Sequence, residues 1–330
     1  MIKYRYILVL FFLFFVQNTF AQDPIFTQFY AVPTMTNPAF AGSEGNTRLG
    51  MGYRNQWMTS SYNLSTFFIS ADKYLESINS GLGVSILDQN ESLTGYNYLQ
   101  VDISYSYHIQ VTDSWTFFPG LSIGHGFKQF DLSKIILGDQ LNIGNGIILP
   151  GSNDPLAHND NVHFFDISAG GIFYSENAWL GISAKHLTKP DIAFTNQDET
   201  QLEMLFSVHG GYKWSLNPSN LFSENTHVYL TVDFLKQGEY NRFDLGTEME
   251  ISGFSFGALV SGIIQKYDDT TQNFISINPV IGLTFKKFKL GVSYDFPLGD
   301  YAIIKGTGEL TFQYYLRNTH ERKRVWQKKY

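Results

Sequence analysis

Several residues that could bind a metal lie close together in one stretch of the chain, namely Asp154, His158, Asn159, Asp160 and His163. Carboxylate and imidazole groups are metal ligands, but these five match no recognised ligand spacing, and Asn and Asp are ordinary loop residues. The chain has no cysteine, which excludes thiolate metal sites, disulfides and cysteine nucleophiles. We therefore predict no metal site and no cofactor.

A second set of ionisable residues could perform acid–base chemistry; it comprises Asp102, His108, Arg242, Asp244 and Glu248. In a polar protein interior, such side chains more simply hydrogen-bond to one another. The glycine pair in Gly81-Leu82-Gly83 is not followed by a helical pattern, so we predict no phosphate-binding loop. We also expect no nucleophile elbow of the Gly-x-Ser-x-Gly type. The sequence predicts a protein that is not an enzyme.

Strands are the elements that position these residues, because apolar and polar side chains alternate with period two along most of the chain. The segment 96–110 shows this best: its odd positions from Leu99 to Ile109 are apolar, and its even positions from Gln100 to Gln110 are polar. Successive side chains of a strand point to opposite faces, so each such segment has one apolar and one polar face.

The alternation predicts fourteen strands, at 47–56, 61–73, 79–89, 94–109, 113–128, 161–175, 178–187, 201–215, 225–236, 240–250, 253–267, 272–286, 288–297 and 305–316. Only 16% of residues are charged, against about 25% in soluble domains, and 16% are aromatic. Short and long connections alternate, as in bacterial barrels with short periplasmic turns and long outer loops. We therefore predict an all-β transmembrane antiparallel barrel in the bacterial outer membrane, in preference to a soluble β-sandwich.

The two ends of the chain differ from the barrel region. Residues 1–21 have a basic start, an apolar run over 7–16 and Thr19-Phe20-Ala21, the layout of a cleaved signal peptide. The predicted division is a signal peptide at 1–21, a lead-in or plug segment at 22–46, the barrel at 47–316 and a basic periplasmic tail at 317–330. The tail could dock on an acidic surface, although a charge run is more often simply solvated.

The segment 22–46 has three prolines and no sustained alternation, which argues against a long strand. Its aromatic residues make it too apolar for a loose tail. It either folds into the lumen or seals its periplasmic mouth, or it is a structured lead-in on the barrel rim.

Three sequence blocks carry a resemblance to a known family: Gln22-Asp23-Pro24 with Phe26 and Gln28-Phe29-Tyr30, then Asn37-Pro38-Ala39-Phe40-Ala41-Gly42, then Tyr53-Arg54-Asn55-Gln56-Trp57. In their order and spacing they resemble the PorP/SprF family of outer-membrane proteins of the type IX secretion system of Bacteroidetes. Beyond about position 71 the resemblance is one of architecture. It offers family-signature residues as structural or interaction candidates: Gln28, Tyr30, Asn37, Pro38, Ala39, Phe40, Arg54 and Trp57.

The resemblance implies a non-catalytic role in secretion or gliding motility, in the export or surface attachment of a large secreted adhesin. Its implied partners are type IX secretion components, including a periplasmic peptidoglycan-binding lipoprotein, with outer-membrane lipid around the barrel. The formal charge of −7 argues against a nucleic-acid partner. Two alternatives stay open: a transporter or channel for hydrophobic or small solutes with an N-terminal hatch, and, less favoured, an outer-membrane lipid hydrolase.

Overall fold

The computed structural model describes residues 22–58, 62–142, 144–154, 160–195, 200–216, 226–264, 274–299 and 306–316. Fourteen long strands form one closed antiparallel barrel. They are β1 Arg48–Gln56, β2 Leu64–Leu75, β3 Ser80–Glu91, β4 Asn97–Tyr107, β5 Thr116–Gln129, β6 Asn161–Tyr174, β7 Ala178–Lys185, β8 Leu205–Leu216, β9 Thr226–Gln237, β10 Tyr240–Ile251, β11 Phe254–Gly262, β12 Phe274–Phe285, β13 Phe288–Pro297 and β14 Thr307–Tyr315. Each pairs with its neighbours in the chain, and β1 pairs with β14 to close the barrel. The predicted fourteen-strand barrel is confirmed.

The remaining elements are short. The two residues Ile109–Gln110 extend the β4–β5 pairing, and Leu141–Asn142 pairs with Ile147–Ile148 in the longest loop. Single 3-10 turns lie at Phe29–Ala31, Pro38–Phe40, Glu76–Ile78, Leu132–Lys134 and Gly138–Gln140, and the one described α-helix, α1, is Pro33–Thr36. Among the described residues, no helix is long and apolar enough to cross a membrane.

The two faces of the barrel wall have opposite character, as the alternation predicts. On β4, Gln100, Ser104 and Ser106 are buried in the lumen, whereas Ile103 on the outer face is 62% exposed. Each of the fourteen strands carries at least one large exposed apolar side chain on its outer face. Soluble monomers do not expose an apolar belt of this size, so the surroundings of this face are lipid.

The connections differ between the two ends of the barrel. At one end, β10 and β11 are joined by Ser252 and Gly253, which both have positive φ as a tight hairpin requires, and β6 and β7 are joined by three residues. At the other end, 130–160 joins β5 to β6, and 186–204 joins β7 to β8. We call these the short-turn end and the long-loop end. By the rule for bacterial barrels, the short-turn end is periplasmic.

The segment 22–46, called the plug below, lies inside the lumen. It contacts strands on all sides of the barrel, from β2 and β4 to β9 and β14. The lumen alternative is therefore the correct one, and the lead-in does not lie on the rim. The signal peptide at 1–21 and the basic tail at 317–330 lie outside the described residues.

Candidate functional site: the plugged lumen

The plug crosses the lumen along its length, from the long-loop end to the short-turn end. Its first residues contact Lys185 and Gln237, the last residues of β7 and β9, at the long-loop end. Its last residues contact Asp72 near the end of β2 and Ser106 near the end of β4, at the short-turn end. The chain then turns into β1 at that same end. Position 22 therefore lies at the outer mouth of the barrel.

Asp23 anchors the outer end of the plug to the wall. Its carboxylate lies 2.6 Å from His186 Nε2 and 3.3 Å from Lys185 Nζ, and its backbone N–H donates to Gln237 Oε1 at 2.9 Å. The second ring nitrogen of His186 lies 2.9 Å from Asp166 on β6. His186 therefore links a plug carboxylate to a wall carboxylate.

The charges at this anchor favour one another's ionised forms. Burial opposes ionisation of Asp23, but the charges of His186 and Lys185 outweigh it and lower the pKa of Asp23. Burial likewise opposes protonation of His186, but Asp23 and the hydrogen bond to Asp166 outweigh it and raise the pKa of His186 to about 9. At neutral pH the anchor is an ion pair between an aspartate and an imidazolium.

Glu309 on β14 holds the next part of the plug. Its two carboxylate oxygens accept the backbone N–H groups of Thr27 and Gln28, at 2.7 Å and 3.0 Å. Arg54 on β1 donates to the same carboxylate and lies 3.0 Å from a carboxylate oxygen of Asp295 on β13. This charge cluster binds main-chain atoms, so it fixes the path of the plug and not only the position of one side chain.

The side chains of this part of the plug are also bonded to the wall. Thr27 Oγ1 donates to Asp295 at 2.9 Å, and Gln28 Nε2 donates to Ser293 Oγ at 2.9 Å. Gln28 Oε1 accepts the hydroxyl hydrogen of Thr311 at 2.9 Å. A buried amide with donors and acceptors satisfied in this way holds one orientation in the lumen.

The middle of the plug is held by Tyr30 and Asn37. The Tyr30 hydroxyl donates to Glu248 on β10 at 2.9 Å. Asn37 is fully buried: its Oδ1 accepts the N–H of Ala39, and its Nδ2 donates to the carbonyl of Ile182 at 2.9 Å. Asn37 thus starts the turn at 38–40 and ties that turn to β7.

The plug packs directly against the wall at its inner end. A Cβ placed on Gly120 of β5 would lie 2.4 Å from Ala39 Cα, and one on Gly81 of β3 would lie 1.9 Å from the carbonyl oxygen of Ala41. Only glycine allows two backbones to approach this closely. Phe40 stacks edge-on against Trp179, with ring centroids 5.3 Å apart.

An ion pair between two wall residues binds the plug at this end. Arg48 Nε donates to Asp72 at 2.9 Å, and a second oxygen of Asp72 accepts the N–H of Gly42 at 2.8 Å. Arg48 also donates to the carbonyl of Phe40 at 3.2 Å. The plug is thereby fastened where it turns into β1.

The structure brings seven of the eight family-signature residues together. Gln28, Tyr30, Asn37, Pro38, Ala39 and Phe40 belong to the plug, and Arg54 binds it from the wall. Trp57 alone lies away from them, with positive φ, beside a cavity at the long-loop end. The sequence analysis did not identify the wall carboxylates Asp72, Asp295 and Glu309. In the sequence they are ordinary polar positions of alternating strands.

The other chemistry-bearing residues are part of the lumen wall. Arg242 makes two hydrogen bonds of 2.8 Å to Asp244, and His108 Nε2 lies 3.1 Å from Ser106 Oγ, as expected for a hydrogen-bonded polar interior. His158 and Asn159 lie outside the described residues, and no group of metal-ligating residues occurs within the described ranges.

The pattern Gly-x-Ser-x-Gly does occur, at 120–124 and 253–257, contrary to our expectation. Its serines Ser122 and Ser255 lie within strands, without the turn into a helix that a nucleophile elbow requires.

A closed antiparallel barrel with an outward apolar belt and a polar lumen defines an integral outer-membrane protein. The model of the family described as "Type IX secretion system membrane protein PorP/SprF" matches residues 18–314. The chain belongs to this family and is an outer-membrane component of the type IX secretion system.

Solved structures support the fold alone. The Pseudomonas putida toluene transporter TodX is 11% identical, with 90% of this chain and 98% of that chain covered and a TM-score of 0.50. A mutant of the monoaromatic hydrocarbon channel TodX is 11% identical, with 85% and 93% covered and a TM-score of 0.51. No curated protein sequence matches this chain.

Proposed function

We propose that this protein is a non-catalytic docking component of the type IX secretion system that supports the export or surface attachment of a large secreted adhesin. The observation that carries the proposal is a plugged lumen in a member of a secretion family. A cavity between plug and wall, lined by Tyr30 and Trp179 among others, has a volume of about 200 Å³, far below the size of a folded domain. The barrel in this state is therefore not the conduit, and its partners bind at its two mouths.

The partners we propose follow from these two mouths. At the periplasmic mouth, secretion components and a peptidoglycan-binding lipoprotein would bind the short turns and the basic tail. At the outer mouth, the adhesin would bind the long loops. Because the tail is basic, its association with an acidic partner would weaken as the salt concentration rises.

A deletion of the gene in the native host tests the proposal. Surface biotinylation followed by mass spectrometry should show the loss of one large surface protein, with its accumulation in the periplasm. The matched control is complementation with the wild-type gene. An unchanged surface proteome would contradict the proposal. If one surface protein is lost, a crosslinking pull-down from outer membranes would identify the partners.

A transporter for small hydrophobic solutes is the second candidate, with the plug as a hatch. It is favoured by the likeness to toluene transporters in fold and by a cavity at the outer mouth that is lined in part by aromatic side chains. Reconstituted wild-type barrel would then take up small hydrophobic solutes faster than protein-free vesicles. Removal of residues 22–46 should open an ion-conducting pore in either case, so the uptake by intact barrel is the discriminating measurement.

A further inference from the structure

A cavity of about 710 Å³ lies at the long-loop end, directly above the outer end of the plug. We call it the vestibule; Trp57, Tyr96, Lys128, Phe130, Ile192 and Phe194 are among the residues that line it. Its volume falls in the range of sites that bind small organic molecules, about 300–1,000 Å³. The family role described above makes no use of this cavity.

One wall of the vestibule is aromatic. The ring centroids of Tyr96 and Phe130 are 5.3 Å apart, and those of Phe130 and Phe194 are 4.6 Å apart. These three residues come from the connections after β3, β5 and β7, so the rings join three separate loops. The ring planes are tilted by 49° and 50° to one another, and an aromatic cluster of this kind offers an apolar surface to an aromatic ring or a short acyl chain.

The floor of the vestibule carries a buried cation. Lys128 faces the lumen from β5 and is 4% exposed. Its Nζ lies 4.7 Å from the ring centroid of Tyr98 and 5.6 Å from that of Phe164. Across the described ranges, no carboxylate lies within 4.0 Å of this ammonium group, and it makes no described hydrogen bond.

The carboxylates nearby are already engaged with other groups. Asp23 bonds to Lys185 and His186, as described above. Glu91, at the rim, accepts the N–H groups of Leu93 and Thr94, at 2.5 Å and 2.8 Å. The charge of Asp23 acts on Lys128 from beyond 4.0 Å, so no described carboxylate contacts this desolvated ammonium group, and an anion entering from outside would recover free energy by doing so.

We propose that the vestibule binds small amphiphilic carboxylates, with the apolar body on the aromatic wall and the carboxylate on Lys128 Nζ. Charge complementarity selects this class over neutral hydrophobic solutes, because Lys128, a buried group at the floor of the cavity with no described hydrogen bond or contacting carboxylate, is a cation. The site does not depend on the secretion role, since it involves no contact with another protein.

Calorimetric titration of detergent-solubilised full-length barrel with phenylacetate tests the proposal, with phenethyl alcohol as the uncharged probe. Lys128→Met should weaken phenylacetate binding at least about tenfold and leave the alcohol unaffected. Lys128→Arg should restore binding of the carboxylate. The matched control is Lys236→Met, which removes a lysine on the outer face of β9 and should change nothing.

Retention of the heat-dependent shift in gel mobility shows that each variant is a folded barrel. If Lys128→Met fails this criterion, the wild-type barrel alone still tests the proposal. It must bind phenylacetate at least about tenfold more tightly than phenethyl alcohol. Equal binding of acid and alcohol, equal binding by the Met variant, or no binding of phenylacetate would overturn the proposal. A photo-crosslinker at position 194 that captures another protein in native membranes would also overturn it, by assigning the vestibule to a polypeptide.

Discussion

The replacement Glu309→Gln should loosen the plug without removing the barrel. The carboxylate of Glu309 accepts two backbone N–H groups of the plug. Charge-assisted hydrogen bonds contribute about 1.5–3 kcal/mol each and neutral ones about 1 kcal/mol. Gln retains one carbonyl oxygen, which can accept one neutral hydrogen bond. The free energy that holds the plug in place therefore falls by about 2–5 kcal/mol. Arg54 still lies 3.0 Å from Asp295, so the change leaves no unpaired cation.

This loss should appear as a greater population of released plug. At about 1.4 kcal/mol per factor of ten, the released fraction rises about 30- to 4,000-fold. The chain has no cysteine, so Ala31→Cys places a single thiol in the buried plug. When the plug closes again faster than the thiol reacts, the rate of thiol modification is proportional to the released fraction.

The assay compares modification rates of the thiol at position 31 with and without Glu309→Gln. The matched control is Glu203→Gln, which removes a partly exposed partner of Lys189 in the 186–204 loop and should change the rate less than about fivefold. A rate in the Glu309 variant equal to that in the control would refute the argument that this carboxylate holds the plug.

Three further predictions concern the path and the ends of the plug. Gly120→Ala should raise the modification rate at position 31, because its Cβ would lie 2.4 Å from plug backbone, whereas Gly138→Ala, with nothing within 4 Å, should not. The pKa of His186 is raised to about 9, so its ion pair contributes fully below its ordinary pKa of 6.5 and is lost as pH rises through about 9. The thermal stability advantage of wild type over Asp23→Asn should therefore shrink between pH 6.5 and 10; a constant difference would contradict the ion pair. A membrane-impermeant maleimide should label Gln22→Cys on intact cells, because Gln22 is exposed at the long-loop end, and labelling only after lysis would reverse the assigned orientation.

The barrel was predictable because lipid imposes one rule on every strand. Most outward residues are apolar and most lumen residues are small or polar, so the alternation from Leu99 to Ile109 itself indicates which residues face the lipid. All fourteen predicted strands correspond to strands of the structure, with bounds that differ by a few residues. Among the described residues the largest difference is at 201–204, which were predicted as strand and precede β8.

The plug was only partly predictable, because its contacts depend on residues far away in the chain. Its prolines and aromatic residues indicate an ordered segment that is not a strand, but nothing local states which groups it meets. Thr27 and its partner Glu309 are separated by 282 positions. A single glutamate in an alternating strand looks the same whether it faces water or binds a plug. The family resemblance named residues on the plug side of these contacts, together with Arg54, but not the carboxylates that hold them.

The placement of charge in the lumen bears on how the protein works. In an open channel, charged side chains are expected to face the aqueous path, whereas here Arg48, Arg54 and Glu309 bond to the plug. Buried ion pairs cost desolvation and contribute little net stability, but they disfavour every arrangement in which a charge loses its partner. They therefore define one seated position of the plug rather than a loose filling. Because the plug fills the lumen in this way, the surfaces that remain for partners and ligands are the two mouths of the barrel. These are the long loops outside and the short turns inside.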